Sequence, residues 1–278
     1  MPDKKVNAKA PDNSVGCFFR GLKREWSFCP VTLKHGDCLE VMKIIPDGSV
    51  DMILCDLPYG TTACKWDSII PFERLWEQYN RIARPDTPIV LFAAQPFTTK
   101  LIHSNFKQFR YCWYWKKNYK TGFSYARYQP MRCIEDVCVF YRKAPTYNPQ
   151  GLIELKEPII RNKKGTTDST IKLNEKTITI MSRYTNYPKH LLEFDNEVKN
   201  NRDRLHPTQK PVKLLEYLIR TYTNENDIVL DNCMGSGSTG IAAVNTNRRF
   251  YGIEKDDKYF DIAKQRIDNA VFSLQQNS

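Results

Sequence analysis

The chain of 278 residues contains no apolar run approaching the roughly 18 residues that a membrane-spanning helix needs, so no transmembrane segment is expected. It has no Cys-x-x-Cys pair, and its nine cysteines, an odd number, fall largely inside apolar runs, as at Cys55, Cys138 and Cys233. That pattern excludes a disulfide framework and predicts reduced core thiols in a cytoplasmic protein. The four histidines, His35, His103, His190 and His206, are scattered and offer no metal-ligand spacing. No apolar stretch follows the lysines of the opening MPDKKVNAKAPDNS, so neither an export signal nor an organelle address is expected, and residues 1–26 read as a tail or arm. Internal repeats and low-complexity tracts are also missing.

What is present is apolar and basic. A chain with 41% hydrophobic and 12% aromatic residues is globular, and its length predicts one α/β domain with an insertion or two small domains. Lys and Arg number 42 against 31 Asp and Glu, and the net charge of +11 suits a polyanionic partner.

From Val31 onward strand-like and helix-like segments alternate, which predicts a mostly parallel, doubly wound sheet covered on both faces. VTLKHGD leads to Asp37, DMILCD ends at Asp56, and PIVLFAA is a third buried strand, with helices between them. FRYCWYWKK and EDVCVFYRK read as two strands that pair as an antiparallel edge. Residues 144–205, with Pro145, Pro149 and Pro158 and a polar centre, break the rhythm and read as an inserted recognition segment. Regularity returns with KPVKLLEYLIRTYT, DIVLDN, CMGSGSTG, RFYGIEKD and a final amphipathic helix. The expected layout is thus a first half over 27–143, the insertion, and a second half of the same domain over 206–278.

Two loops carry chemistry. Gly235-Ser236-Gly237-Ser238-Thr239-Gly240 is a G-x-G-x-x-G that follows a strand and opens a helix, where free N–H groups and close backbone approach suit the polar part of a nucleoside cofactor. Glu254 ends the next strand, where a carboxylate can accept ribose hydroxyls. This pattern alone does not separate a nicotinamide cofactor from S-adenosylmethionine, and it also fits a plain tight turn.

The second loop, Asp56-Leu57-Pro58-Tyr59-Gly60, leaves the carboxyl end of a buried strand. Pro58 fixes φ and keeps Leu57 extended, so the Leu57 carbonyl and the Asp56 carboxylate can converge on one spot. Two acceptors there would take both N–H groups of an exocyclic amine and free its lone pair, with Tyr59 stacked on the base. The same residues would also make an ordinary strand-to-helix turn with Asp56 as a cap.

With DLPYG at 56–60, HPTQKP at 206–211 and DNCMGSGSTG at 231–240 in that order, the sequence resembles the circularly permuted, beta-group DNA N6-adenine and N4-cytosine methyltransferases of the D-P-P-Y type. Only Leu57 departs from the commonest tetrapeptide. The resemblance implies a Rossmann-like S-adenosylmethionine-dependent methyltransferase fold with a small target-recognition region. It implies that Asp56, Leu57, Pro58 and Tyr59 are catalytic, and that Asp37, Thr208, Gln209, Lys210, Asp231, Gly235, Gly237 and Glu254 bind S-adenosylmethionine. Phe123, or Tyr125 or Tyr119 near it, would pack on the flipped base opposite Tyr59. The partner it implies is double-stranded DNA. A homodimer and a cognate restriction endonuclease are further partners it raises, and no membrane is expected.

Residues 107–143 hold nine Lys and Arg against two acids, together with eleven aromatics, a mixture that suits phosphates and bases as well as a packed aromatic edge. The expected activity is methyl transfer to adenine N6, with cytosine N4 as the near alternative. Cytosine C5 chemistry lacks its Pro-Cys dipeptide here. A nicotinamide oxidoreductase would leave DLPYG and the basic surplus unexplained, and a silent DNA-binding module would leave the cofactor loop unexplained. A protein-glutamine methyltransferase places its cofactor loop before the tetrapeptide, whereas here Asp231 follows Asp56 by 175 residues.

Overall fold

The computed structural model describes residues 31–60, 68–163, 178–195 and 209–276. The expected N-terminal tail, the middle of the 144–205 segment, and Thr208 lie outside the described residues.

The first half contributes β1 (Val31–His35), α1 (Cys38–Val41), β2 (Met52–Asp56), α2 (Phe72–Ile82), β3 (Ile89–Ala93), α3 (Phe97–Ser104), β4 (Phe109–Thr121) and β5 (Arg132–Phe140). Then follow β6 (Ile153–Lys163), β7 (Ile178–Thr185) and β8 (Leu191–Glu193), and finally α4 (Val212–Tyr222), β9 (Ile228–Asp231), α5 (Ser238–Asn245), β10 (Arg249–Glu254) and α6 (Asp257–Gln276). Eight strands form one sheet in the order β1, β10, β9, β2, β3, β5, β4, β8, and β6 and β7 pair separately. Every pairing in the large sheet is parallel except those of β5, which runs against both β3 and β4.

The central strands are apolar throughout because helices cover both faces. Along β2, Met52 and Leu54 join the core under α4, α5 and α6, while Ile53 and Cys55 join the core under α1, α2 and α3. Helix α2 follows from Leu75, Trp76, Tyr79 and Ile82 recurring on one face, all of them buried, and Pro85 stops it. Each such large side chain contributes about 1.5–3 kcal/mol of gross burial.

The antiparallel pair β4 and β5 is as expected, but β4 is not the last strand. Leu191–Glu193 returns from the inserted segment and lies parallel to β4 at Tyr114–Lys116. Strands β6 and β7 also arise within that segment. They escape a period-two reading because neither face of this ribbon is covered: Ile153, Ile159, Ile160, Met181 and Tyr184 are exposed. Pro158 sits where the register slips between Glu154 and Ile159, a position that tolerates a missing N–H.

The order of strands reverses direction between β9 and β2. The chain builds outward from β2 through β3 on one side and from β9 through β10 on the other, so a crevice opens at the carboxyl ends of this adjacent pair. Asp56 ends one strand and Asp231 the other.

Candidate active site

Asp56 leaves β2 half-buried and is held from two sides. The Tyr59 hydroxyl donates to its Oδ1 at 2.8 Å, and Lys210 Nζ donates to its Oδ2 at 2.5 Å. Tyr59 in turn stacks on Phe97 at 4.9 Å between ring centroids. Leu57 buries its side chain in the core, so an apolar residue suits this place in the tetrapeptide.

Lys210 is buried, with Nζ 5.1 Å above the Phe92 ring, and it faces a second acid. Its Nζ lies 3.3 Å from Glu135 Oε2, while Glu135 Oε1 accepts from the buried Lys117 at 2.8 Å. Two acids and two lysines thus alternate along one row. Burial pushes the Asp56 carboxyl above the ordinary carboxylate range; Lys210 pulls it down without cancelling that effect, and Glu135 adds to the rise. Burial also acts on Glu135, but Lys210 and Lys117 outweigh it and hold that carboxyl low. Lys210 stays charged, since Asp56 and Glu135 overcome its own desolvation.

The second wall of the crevice comes from the loop after β9. Gly235 has φ +52 and its N–H donates to Glu254 Oε2 at 2.8 Å, while Lys255 and Asp256 donate their N–H groups to Oε1 at 2.9 Å each. Three amides therefore fix the Glu254 carboxylate at the end of β10. Asp37, two residues beyond β1, caps α1 by accepting from Leu39 N at 3.0 Å and also accepts from Lys255 Nζ at 3.1 Å. Asp231 is buried and accepts from Cys233 N at 3.1 Å; its desolvation raises the carboxyl to about 6.

These parts share one cavity of about 600 Å³, within the range of small-molecule sites. Asp37, Asp56 to Tyr59, Gln209, Lys210, Asp231, Gly235 and Glu254, nominated from separate stretches of sequence, all line it. Gly237 does not. With φ +80 it caps α5 against α6, and a Cβ there would stand 3.0 Å from Ala263. Phe123 is 81% exposed in a turn beyond β4, and Tyr125 is exposed beside it, whereas Tyr119 does line the cavity.

Glu135 and Lys117 were not among the nominated residues. The signal was the alternation along β4, which puts Lys117 on the buried face with Trp113 and Trp115. A lysine there demands a counter-charge, and β5 supplies Glu135 opposite Trp115.

The lining of the cavity could hold a nucleoside that carries a cationic amino acid. Glu254 suits ribose hydroxyls, and Asp231 suits an ammonium. Gln209 Oε1 is a buried acceptor on the cavity wall without a hydrogen-bond partner. Such an atom is costly to leave unpaired unless a ligand takes it up.

Comparison with known proteins agrees with this geometry. The family described as DNA methylase, comprising N6 and N4 enzymes, matches residues 50–265. The DNA adenine methyltransferase YhdJ of Escherichia coli is 28% identical over 258 residues, spanning 86% of this chain and 83% of that protein. The structure of M1.HpyAVI in complex with SAM aligns with a TM-score of 0.57 at 25% identity, covering 86% of this chain and 99% of that one. The cytosine-N4-specific PvuII DNA methyltransferase aligns with a TM-score of 0.62 at 16% identity, over 89% of this chain and 93% of that one, a likeness of fold alone.

Proposed function

The chain belongs to the N6/N4 DNA methylase family and uses S-adenosylmethionine, and from that premise we propose that it methylates the N6 amine of an adenine flipped out of double-stranded DNA. The observation that carries the reading is that Asp56 and Asp231 end neighbouring parallel strands and open into one cavity, so an amine holder and a cofactor cradle meet at the switch point of the sheet.

In this reading Glu254 holds the ribose, Asp37 the adenine amine of the cofactor, and Asp231 with Gln209 its cationic amino end. When bound, S-adenosylmethionine supplies a methyl group made electrophilic by a sulfonium. Asp56 and the Leu57 carbonyl accept the two N–H groups of the target amine and direct its lone pair into the cavity. Asp56, raised by burial, is a better base than an exposed aspartate and takes the proton that the methylated amine sheds. Tyr59, backed by Phe97, offers its ring to the base. Lys210, assigned by resemblance to the methionine end, acts here as the electrostatic partner of Asp56.

Adenine is preferred on the leading aspartate of the tetrapeptide and on the likeness to YhdJ; cytosine N4 presents the same donors and is the second reading. The exposed turn with Phe123, Tyr125, Arg127 and Tyr128 extends from the cavity wall and suits splayed or duplex DNA. The ribbon β6–β7, with Lys156, Arg161 and Arg183, is assigned to target recognition. A homodimer and a cognate restriction endonuclease belong to the same proposal. The test is to incubate unmethylated bacterial DNA with the protein and labelled S-adenosylmethionine, then identify the labelled nucleoside by mass spectrometry. N6-methyladenine is expected, N4-methylcytosine would change the base, and an unlabelled digest would refute the activity.

A further inference from the structure

Lys210 stands between two buried carboxylates that use it unequally. Asp56 Oδ2 accepts from Nζ at 2.5 Å, whereas Glu135 Oε2 is ion-paired with the same Nζ at the longer distance of 3.3 Å and lacks a well-directed hydrogen bond. Glu135 cannot turn to find one, because Lys117 fixes its other oxygen at 2.8 Å from the buried face of β4. The lysine therefore sits closer to Asp56 than to Glu135, and a buried acceptor held only by the longer contact gains less from it. Meanwhile each Asp56 oxygen already accepts a hydrogen bond, Oδ1 from Tyr59 and Oδ2 from Lys210, and a target amine must share that carboxylate.

We propose that Lys210 changes carboxylates during the reaction: it is paired with Asp56 in the free protein and passes to Glu135 Oε2 when the target amine reaches Asp56. The handover frees Asp56 Oδ2 for the substrate and keeps the lysine paired throughout. Glu135 is then a positioning residue acting through Lys210, and Lys117 anchors it. This rests on the reading of Asp56 as acceptor of the target amine.

Two variants and a double variant test it. Glu135→Gln keeps the size but offers the ammonium no counter-charge, so kcat at saturating DNA and S-adenosylmethionine falls at least about tenfold while the Kd for S-adenosylmethionine alone changes less than about twofold. Adding Lys210→Met to Glu135→Gln empties Asp56 Oδ2, and the double variant is expected to be more active than Glu135→Gln, each assayed at its own optimum pH. Lys210→Arg keeps the charge but grips both acids, and it too is expected to lose kcat; it carries the test if circular dichroism shows Glu135→Gln unfolded. Wild-type kcat in Glu135→Gln or in Lys210→Arg, or a double variant no better than Glu135→Gln, would overturn the handover. A wild-type protein that bound S-adenosylmethionine but methylated no DNA would overturn the reading of Asp56 itself, and the handover with it.

Discussion

Asp56 and Lys210, 154 positions apart in the chain, meet with Nζ 2.5 Å from Oδ2 and so join the end of β2 to the segment that enters α4. Burial raises the Asp56 carboxyl and the lysine opposes that rise. Lys210→Met removes the opposing charge, and the carboxyl climbs further. The acidic limb of the kcat profile is therefore expected to move to higher pH, with a loss of activity that narrows as pH rises. A profile that keeps its shape would show that the lysine does not control Asp56.

Asp231 carries a pH dependence of the opposite partner. Its carboxyl is raised by burial to about 6, so it is mostly ionised at pH 7.5 and mostly protonated at pH 5. If it holds the cationic end of S-adenosylmethionine, affinity weakens as pH falls through 6, by up to about tenfold for each further unit. Calorimetric titration across that range measures it directly, and Asp231→Asn is expected to flatten the dependence.

The loop after β9 is braced by α2. Tyr79, buried on α2, donates its hydroxyl to Asn232 Oδ1 at 2.6 Å, and Asn232 lines the cavity. Tyr79→Phe leaves that amide oxygen buried and unpaired, at a cost of about 1–3 kcal/mol. Thermal unfolding is expected a few degrees lower, with S-adenosylmethionine bound several-fold more weakly. An unchanged melting temperature would mean that the loop stands without this brace.

Gly237 separates conformation from contact. At φ +80, with a would-be Cβ 3.0 Å from Ala263 and Ile267, alanine meets both backbone strain and the packing of α6, together about 2–4 kcal/mol. Gly237→Ala is expected to lower the melting temperature while the folded fraction binds S-adenosylmethionine with nearly unchanged Kd. A Kd that weakens out of proportion would place this glycine in contact with the cofactor after all.

The fold and most of the cavity were legible because they rest on local rules. Continuous apolar runs such as that of β2 announce strands covered on both faces, and an acid at the end of each of β2 and β9 points to the switch point that joins them. Long-range pairing was not legible. The alliance of Lys210 with Asp56 and Glu135 depends on β5 lying between β3 and β4, which no period reveals. The three-residue β8 is too short to carry a pattern, and the ribbon β6–β7 lacks a buried face to impose one. Phe123 lies 81% exposed in the turn beyond β4, next to the cavity wall that Tyr119 and Thr121 line, a placement that depends on how far β4 runs.

The most direct test of the account is the single-turnover rate of methyl transfer to unmethylated DNA by Asp56→Ala, with the Kd for S-adenosylmethionine measured on the same preparation. If Asp56 holds the amine and takes its proton, its removal is expected to slow transfer by about a thousandfold or more while cofactor binding stays within a few-fold of wild type. A variant that methylates DNA at the wild-type rate would contradict the account.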